Sequence, residues 1–289
     1  ANGAPFDVFL AADDSTPATP ETPVAPATTD QQVTVVDGLI KGALVCLDRN
    51  ANGACDTDET QNTTGDNGVA TLKVPNADAG KYAVLAQVPV GAVDADHGTV
   101  ATAFVLRAPA DQPAVVSPLT TLAVAHSQAN GSTSAAADTA LKTALGLTGS
   151  LFANYAGKTD ADARLAGDIA RLVVVTAQQV KTATAEAKDL AGQALTDADR
   201  ALAVHNQLLG ALPALAAAAA APAVAAGTGA AKAEAMQAAA AALATAAGLD
   251  AASIGRAVAL AKPLTAASLL ALYIGADGKL DAAALPRME

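Results

Sequence analysis

The chain has 289 residues and a formal net charge of -11 at pH 7, with 17 basic and 28 acidic side chains. No basic stripe is available to neutralise phosphates, which argues against nucleic acid, and the charge disfavours adhesion to an anionic membrane. Hydrophobic residues make up 52% of the chain but aromatic residues only 2%, so alanine, valine and leucine must fill the interior. The length favours about two domains.

Residues 1–31 combine one short strand with a stiff linker. Phe6, Val8 and Leu10 alternate with other residues, as in an isolated β-strand. The Pro/Thr-rich residues 15–30 would reach roughly 50 Å in polyproline II form. One strand cannot form a sheet alone. It is a donor strand that enters a neighbouring copy, a strand that folds back onto its own sheet, or a disordered tail.

Residues 32–116 predict a small antiparallel β-sandwich. Short runs rich in β-formers are separated by Gly-, Asn- and Asp-rich turns. The predicted strands are Val33–Val36, Leu39–Leu47, Val69–Val74, Tyr82–Val88 and Val100–Leu106. Because about seven strands are usual in such a sandwich, the N-terminal strand is a candidate for a missing one.

Residues 48–59 carry the sharpest chemical pattern of the chain. Oxygen-bearing side chains fall at loop positions 1, 3, 5, 9 and 12, with glycine at position 6, which is the pattern of a calcium-binding loop. The predicted Ca²⁺ ligands are the side chains of Asp48, Asn50, Asn52, Asp56 and Glu59 and the carbonyl of Ala54. The alternative is a polar surface loop that is rich in Asn and Asp for other reasons.

Two cysteines, Cys46 and Cys55, lie at the end of a predicted strand and inside this loop. A disulfide between them would pin the loop to the strand and implies an oxidising compartment. The alternative is a pair of free buried thiols in a cytosolic protein. A first residue other than methionine fits removal of a signal peptide, or a trimmed chain.

Residues 37–56, from Asp-Gly-Leu-Ile-Lys-Gly to Asn-Gly-Ala-Cys-Asp, resemble repeats in secreted bacterial surface proteins of the carboxypeptidase-regulatory-like or transthyretin-like β-sandwich group. The Thr64-x-x-x-Gly68 turn, the Asp94-x-Asp96 segment, Ala108-Pro109 and residues 116–122 are also similar. This resemblance covers about residues 33–125. It implies export, a calcium-bound sandwich and a structural or adhesive role, but no particular ligand.

Residues 117–289 predict an Ala-rich helical bundle, in which Ser117 is the first N-cap. The predicted helices are Leu119–Gln128, Ser134–Leu145, Asp160–Leu190, Thr196–Leu212, Ala230–Ala247, Ala251–Leu260 and Thr265–Tyr273. One solvated helix face is predicted at Arg164, Asp168, Arg171, Gln178 and Lys181. The longest apolar tract, Ala211–Ala226, contains two prolines and is mostly alanine, so no transmembrane segment is predicted.

No catalytic constellation is recognisable in the sequence. His97, His126 and His205 have no ligand spacing, and each is interpreted as a surface or satisfied core histidine. We therefore expect an α+β multidomain protein that is secreted to the bacterial cell surface, binds Ca²⁺ and is not an enzyme. Its expected role is a structural subunit that forms a homopolymer, a filament, through its N-terminal strand. The alternatives are a monomeric adhesion or ligand-binding module and a periplasmic hydrolase.

Overall fold

The computed structural model describes residues 27–188 and 194–261. Strands occupy the first part of the described chain and helices the second, so the mixed α+β class is confirmed. The described strands are β1 (Thr28–Val35), β2 (Ile40–Lys41), β3 (Leu44–Asp48), β4 (Gln61–Thr63), β5 (Val69–Pro75), β6 (Ala83–Val88), β7 (Val93–Asp94), β8 (Gly98–Thr99), β9 (Phe104–Ala108) and β10 (Val115–Val116). The described helices are α1 (Pro118–Asn130), α2 (Ser134–Leu145), α3 (Ala161–Ala183), α4 (Asp197–Leu209), α5 (Leu212–Ala220), α6 (Pro222–Ala225), α7 (Gly229–Ala246) and α8 (Ala251–Ala261).

The strands form three sheets, with the orders β10-β1-β5, β4-β3-β6-β9 and β2-β7-β8. Side chains from the two larger sheets share one apolar core, which includes Val33, Val45, Leu72, Val84 and Leu106. Alternation along the strands produces this core, because successive side chains point to opposite faces. The pairs are antiparallel except β1 and β10, which run parallel. The expectation of a wholly antiparallel arrangement is wrong at that pair.

The predicted strand Leu39–Leu47 is divided in the structure. Gly42 has a φ of 86°, a left-handed conformation that glycine adopts without steric cost. The chain turns there, so that β2 joins the smallest sheet while β3 pairs with β4 and β6. The hydrophobic pattern continues across the turn because both halves are buried, and it therefore conceals the break.

The junction between strands and helices is held by one compact group of hydroxyls. Ser117 Oγ accepts the Thr120 N–H at 3.2 Å, which confirms the predicted N-cap, and the Ser117 N–H donates in return to Thr120 Oγ1 at 2.8 Å. Thr120 Oγ1 also donates to the Arg107 carbonyl at 2.6 Å, and Thr121 Oγ1 accepts the Arg107 N–H at 2.9 Å. The first turn of α1 therefore covers the outer edge of β9.

The helical part packs against the strands. Its apolar core includes Leu122, Ile169 and Leu172, and it also contains Val36 and Val115 of the strand region. Helix α3 ends at Ala183 rather than at the predicted Leu190. Thr184 Oγ1 donates to the Val180 carbonyl at 2.8 Å at this end, in competition with the backbone.

The prediction that one polar face of α3 is solvated is wrong for most of its residues. Arg171 Nη1 lies 2.9 Å from Asp37 Oδ2, Gln178 Nε2 donates to the Thr102 carbonyl, and Lys181 Nζ donates to the Ala103 carbonyl. The segment before β9 offers carbonyls that long polar side chains can reach. The polar face of α3 therefore binds the helices to the strands.

No single helix in the described ranges is both long enough and apolar enough to cross a bilayer. Two pairs of consecutive helices, each sharply bent at the join, meet the length and composition criteria when the two members are taken together.

Candidate functional site

The loop of residues 48–59 leaves β3 and returns to β4, and a disulfide closes it. Cys46 in β3 is bonded to Cys55 in the loop, with a Cα–Cα distance of 5.6 Å. The predicted disulfide is thus present. It joins the middle of the loop to a strand that is itself paired on both sides by β4 and β6.

Three of the predicted ligands meet at one oxygen. Asn50 Nδ2 and Asn52 Nδ2 both donate to Asp56 Oδ2 at 2.8 Å. The amide oxygens of the same two asparagines accept the backbone N–H groups of Asn52 and Ala54. These short turns fold the loop back on itself and gather the three side chains at its exposed side.

Asp48 and Glu59 close the loop from its two ends, and both are buried. Asp48 accepts the N–H groups of Asn52 and Gly53 at 3.0 and 3.1 Å. Glu59 accepts the N–H groups of Arg49 and Asp56 at 2.7 and 3.2 Å. The structure therefore brings Asn50 and Asn52 to Asp56, while Asp48 and Glu59 bind backbone N–H groups of the same loop. The role of the Ala54 carbonyl stays a prediction, and Phe6, Val8 and Leu10 lie outside the described residues.

The donor set fits Ca²⁺, which takes six to eight oxygen ligands in flexible geometry. In the described ranges, no ion pair involves Asp48, Asp56 or Glu59. Burying a carboxylate without a cationic partner is costly unless it binds a metal. Arg107 lies close enough for Asp48 to raise its pKa and so offsets part of the Asp48 charge; a bound cation would add to this and would supply a counter-charge for Glu59.

Arg107 in β9 packs against the loop at Gly53, and it is not among the residues predicted from the sequence to belong to the site. Its guanidinium packs against Gly53, where an added Cβ would overlap it. Burial lowers the pKa of Arg107, whereas Asp48 and Asp199 raise that pKa. The available signal was a lone cation in the otherwise apolar run Phe104–Ala108.

An apolar groove of about 470 Å³ lies between β9 and the helices α3 and α4. Its walls include Leu44, Val88, Phe104, Val105 and Val204. On one side the groove is bounded by α3, whose Gln178 and Lys181 donate to carbonyls of the segment just before β9. Its lining is mainly apolar.

His205 in α4 lines the groove and is buried, and its Nδ1 lies 2.6 Å from the Ala201 carbonyl. Burial lowers its pKa from 6.5 to about 4; the hydrogen bond to Ala201 opposes this and Arg107 adds to it. It is a satisfied core histidine.

Acidification should therefore destabilise the protein through His205. Between pH 6.5 and about 4 the unfolded chain binds a proton at this histidine and the folded protein does not. The free energy of unfolding should fall by up to about 3 kcal/mol across that interval. Urea unfolding of wild type and His205→Gln at several pH values checks this. The variant should lose less stability on acidification, and the two should run parallel above pH 7. Equal acid slopes would contradict the assignment.

No family model, curated protein or solved structure matches the chain. The resemblance to secreted surface-protein sandwiches accordingly stays a prediction.

Proposed function

We propose that the chain is a secreted, non-enzymatic structural subunit of the bacterial cell surface. Its strands form a sandwich stiffened by Ca²⁺ at residues 48–59, its helices form an Ala-rich bundle, and copies join through the N-terminal strand. The observation that carries the calcium site is the pair of buried carboxylates, Asp48 and Glu59, without an ion-pair partner in the described chain. The Cys46–Cys55 disulfide supports export.

In this proposal Ca²⁺ supplies charge neutralisation and rigidity, not chemistry. Asp48, Asn50, Asn52, Asp56 and Glu59 would hold the ion, with the Ala54 carbonyl as a further ligand. Because the disulfide and the ion restrain the same turn, loss of either should loosen that turn without removing an activity.

Chelation of calcium should lower the melting temperature. With Ca²⁺ at about a hundredfold excess over its dissociation constant, binding adds about 2.7 kcal/mol. For a protein of this size that corresponds to roughly 4–5 °C. Scanning calorimetry of EDTA-treated protein, before and after addition of Ca²⁺ alone, measures the difference.

The matched variants for this measurement are Asp56→Asn and Asp58→Asn. Each removes one negative charge from the same loop, but Asp58 is exposed and is not a predicted ligand. Asp56→Asn should lose most of the calcium-dependent rise in melting temperature, and Asp58→Asn should keep it. A wild-type melt that does not respond to Ca²⁺ would remove calcium from the proposal.

Self-assembly is supported by the apolar groove beside β9 and by the apolar face of the N-terminal strand. Phe6, Val8 and Leu10 would present one apolar edge to such a groove, and main-chain pairing would use the part of the β9 edge that lies before Arg107, whose own backbone groups are bound by α1. The linker would allow the strand to reach a neighbouring copy. A head-to-tail contact of this kind does not close on itself, so it generates filaments.

Deletion of residues 1–12 should abolish filaments in negative-stain electron microscopy and leave a monomer in size-exclusion chromatography. Phe6→Glu should have the same effect, because it places a charge on the apolar face. Phe9→Glu is the matched control, since residue 9 lies on the opposite face of an extended strand. Unchanged assembly after the deletion would defeat the filament proposal. A full-length protein that is a sharp monomer with Ca²⁺ would favour the monomeric adhesion module instead.

A further inference from the structure

Three potential metal ligands converge at a second place, away from the calcium loop. Asp37 follows β1, Asp94 ends β7, and His97 lies in the turn before β8. One ligand atom from each of these side chains lies within 4.8 Å of the other two. Asp37 and Asp94 thus meet although they are distant in sequence, because β7 pairs with β2 and the Gly38 N–H donates to Asp94 Oδ2 at 3.2 Å across 56 positions.

Asp37 provides the observation that points to a ligand. Its side chain has no exposed surface. Oδ2 is engaged by Arg171 at 2.9 Å, but Oδ1 is buried and has no hydrogen-bond partner among the described residues. An unpartnered carboxylate oxygen in a buried site carries the full cost of its desolvation. A cation at the cluster would satisfy it.

Asp94 is held in place by the backbone around it. Its Oδ1 accepts the N–H groups of Asp96 and His97 at 2.9 and 3.1 Å. A Cβ at position 38 would overlap Asp94 Oδ1 and lie 2.8 Å from the Asp96 nitrogen, so glycine is needed for this approach. The position of the carboxylate is thus fixed before any ion arrives, which lowers the cost of binding.

The charges favour a dication. Arg171 balances one of the two carboxylates, and within the described ranges Asp94 takes part in no ion pair. His97 is exposed, and it lines with Asp37 and Arg171 a cavity of about 510 Å³. An ion can therefore enter from solvent and keep water as a further ligand.

We propose that Asp37, Asp94 and His97 form a binding site for a divalent transition-metal ion of the Zn²⁺ type. Two carboxylates and one imidazole suit Zn²⁺ and related ions, whereas Ca²⁺ takes oxygen ligands only. The ion would bind the end of β1 to the β7–β8 turn and, through Arg171, to helix α3. This role is independent of the calcium loop and of filament formation.

Isothermal titration of ZnCl₂ into full-length, EDTA-treated protein, dialysed into Ca²⁺, tests the site. Wild type should bind one equivalent of Zn²⁺. Replacing a residue that only hydrogen-bonds to a metal ligand typically lowers metal affinity about 10–100-fold. His97→Ala removes a ligand itself, so it should weaken Zn²⁺ binding at least that much. Because His97 is exposed, this variant should stay folded, which circular dichroism verifies. His126→Ala, which removes a histidine from α1, is the control and should bind as wild type does.

Co²⁺ gives a second readout. Its visible absorption reports an imidazole–carboxylate site, and the signal should be lost in His97→Ala and kept in Asp56→Asn. Absence of a Zn²⁺ equivalent in wild type, equal affinity in His97→Ala, or loss of the signal in Asp56→Asn would each overturn the proposal.

Discussion

Replacing Arg171 with leucine should lower the free energy of unfolding by about 3–5 kcal/mol in metal-free buffer, as expected when one partner of a buried ion pair is removed. Its partner Asp37 is fully buried, with one oxygen on Arg171 and the other without a partner in the described chain. Burial raises the pKa of Asp37, and Arg171 opposes this rise more than any other group. Urea unfolding at neutral pH measures the loss.

Arg164→Leu is the matched control for this variant. It is the same substitution on the same helix, but Arg164 is exposed and its replacement should change stability by less than about 0.5 kcal/mol. The double variant Asp37→Asn/Arg171→Leu should recover part of the loss, because the buried charge is then absent. If Arg171→Leu and Arg164→Leu unfold at the same urea concentration, the contact between α3 and the strands does not stabilise the protein as described.

Replacing Gly53 with alanine should destabilise the protein by about 2–5 kcal/mol, from left-handed backbone strain and overpacking together. Gly53 has a φ of 75°, and a Cβ there would overlap the Arg107 guanidinium and lie 2.7 Å from the Ala198 Cβ. The loop would have to move away from β9 and α4. Thermal unfolding and Ca²⁺ titration of the variant measure both consequences, and calcium affinity should fall with stability.

Gly80→Ala separates strain from crowding. Gly80 has a φ of 69°, close to that of Gly53, but an added Cβ meets nothing within 4 Å. Its replacement should therefore cost only the backbone strain of about 1–2 kcal/mol. Equal losses at the two positions would mean that the loop does not press against Arg107.

Helix starts and strands are largely predictable here, because their signals lie within a few neighbouring residues. Ser117 and Pro118 indicate the start of α1, and alternation in runs such as Val69–Val74 indicates strands. The parallel pairing of β1 with β10 is not predictable in this way, since it joins residues 81 positions apart, such as Thr34 and Val115. The same holds for the polar face of α3, because the sequence does not reveal which carbonyls it will meet.

The candidate sites differ in the same way, since some are formed by neighbouring residues in the sequence and others by distant segments. The predicted calcium loop lies within twelve consecutive residues, so its spacing is readable, and in the structure Asn50 and Asn52 donate to Asp56. The disulfide is equally local, nine positions apart. Arg107, His205 and the Asp37–Asp94–His97 cluster combine distant segments. Their environment comes from burial and packing, which a single sequence does not specify.

The hydroxyls at the start of α1 have a consequence for anyone who divides the chain. A fragment that ends at Val116 would lose Thr120 and Thr121, and with them the groups that satisfy the Arg107 backbone. It would also uncover Val36 and Val115, which belong to the helical core. An exposed strand edge beside apolar side chains is a template for association between copies. Aggregation of such a fragment would therefore reflect the loss of the α1 cover, and should not be counted as evidence for the proposed polymerisation.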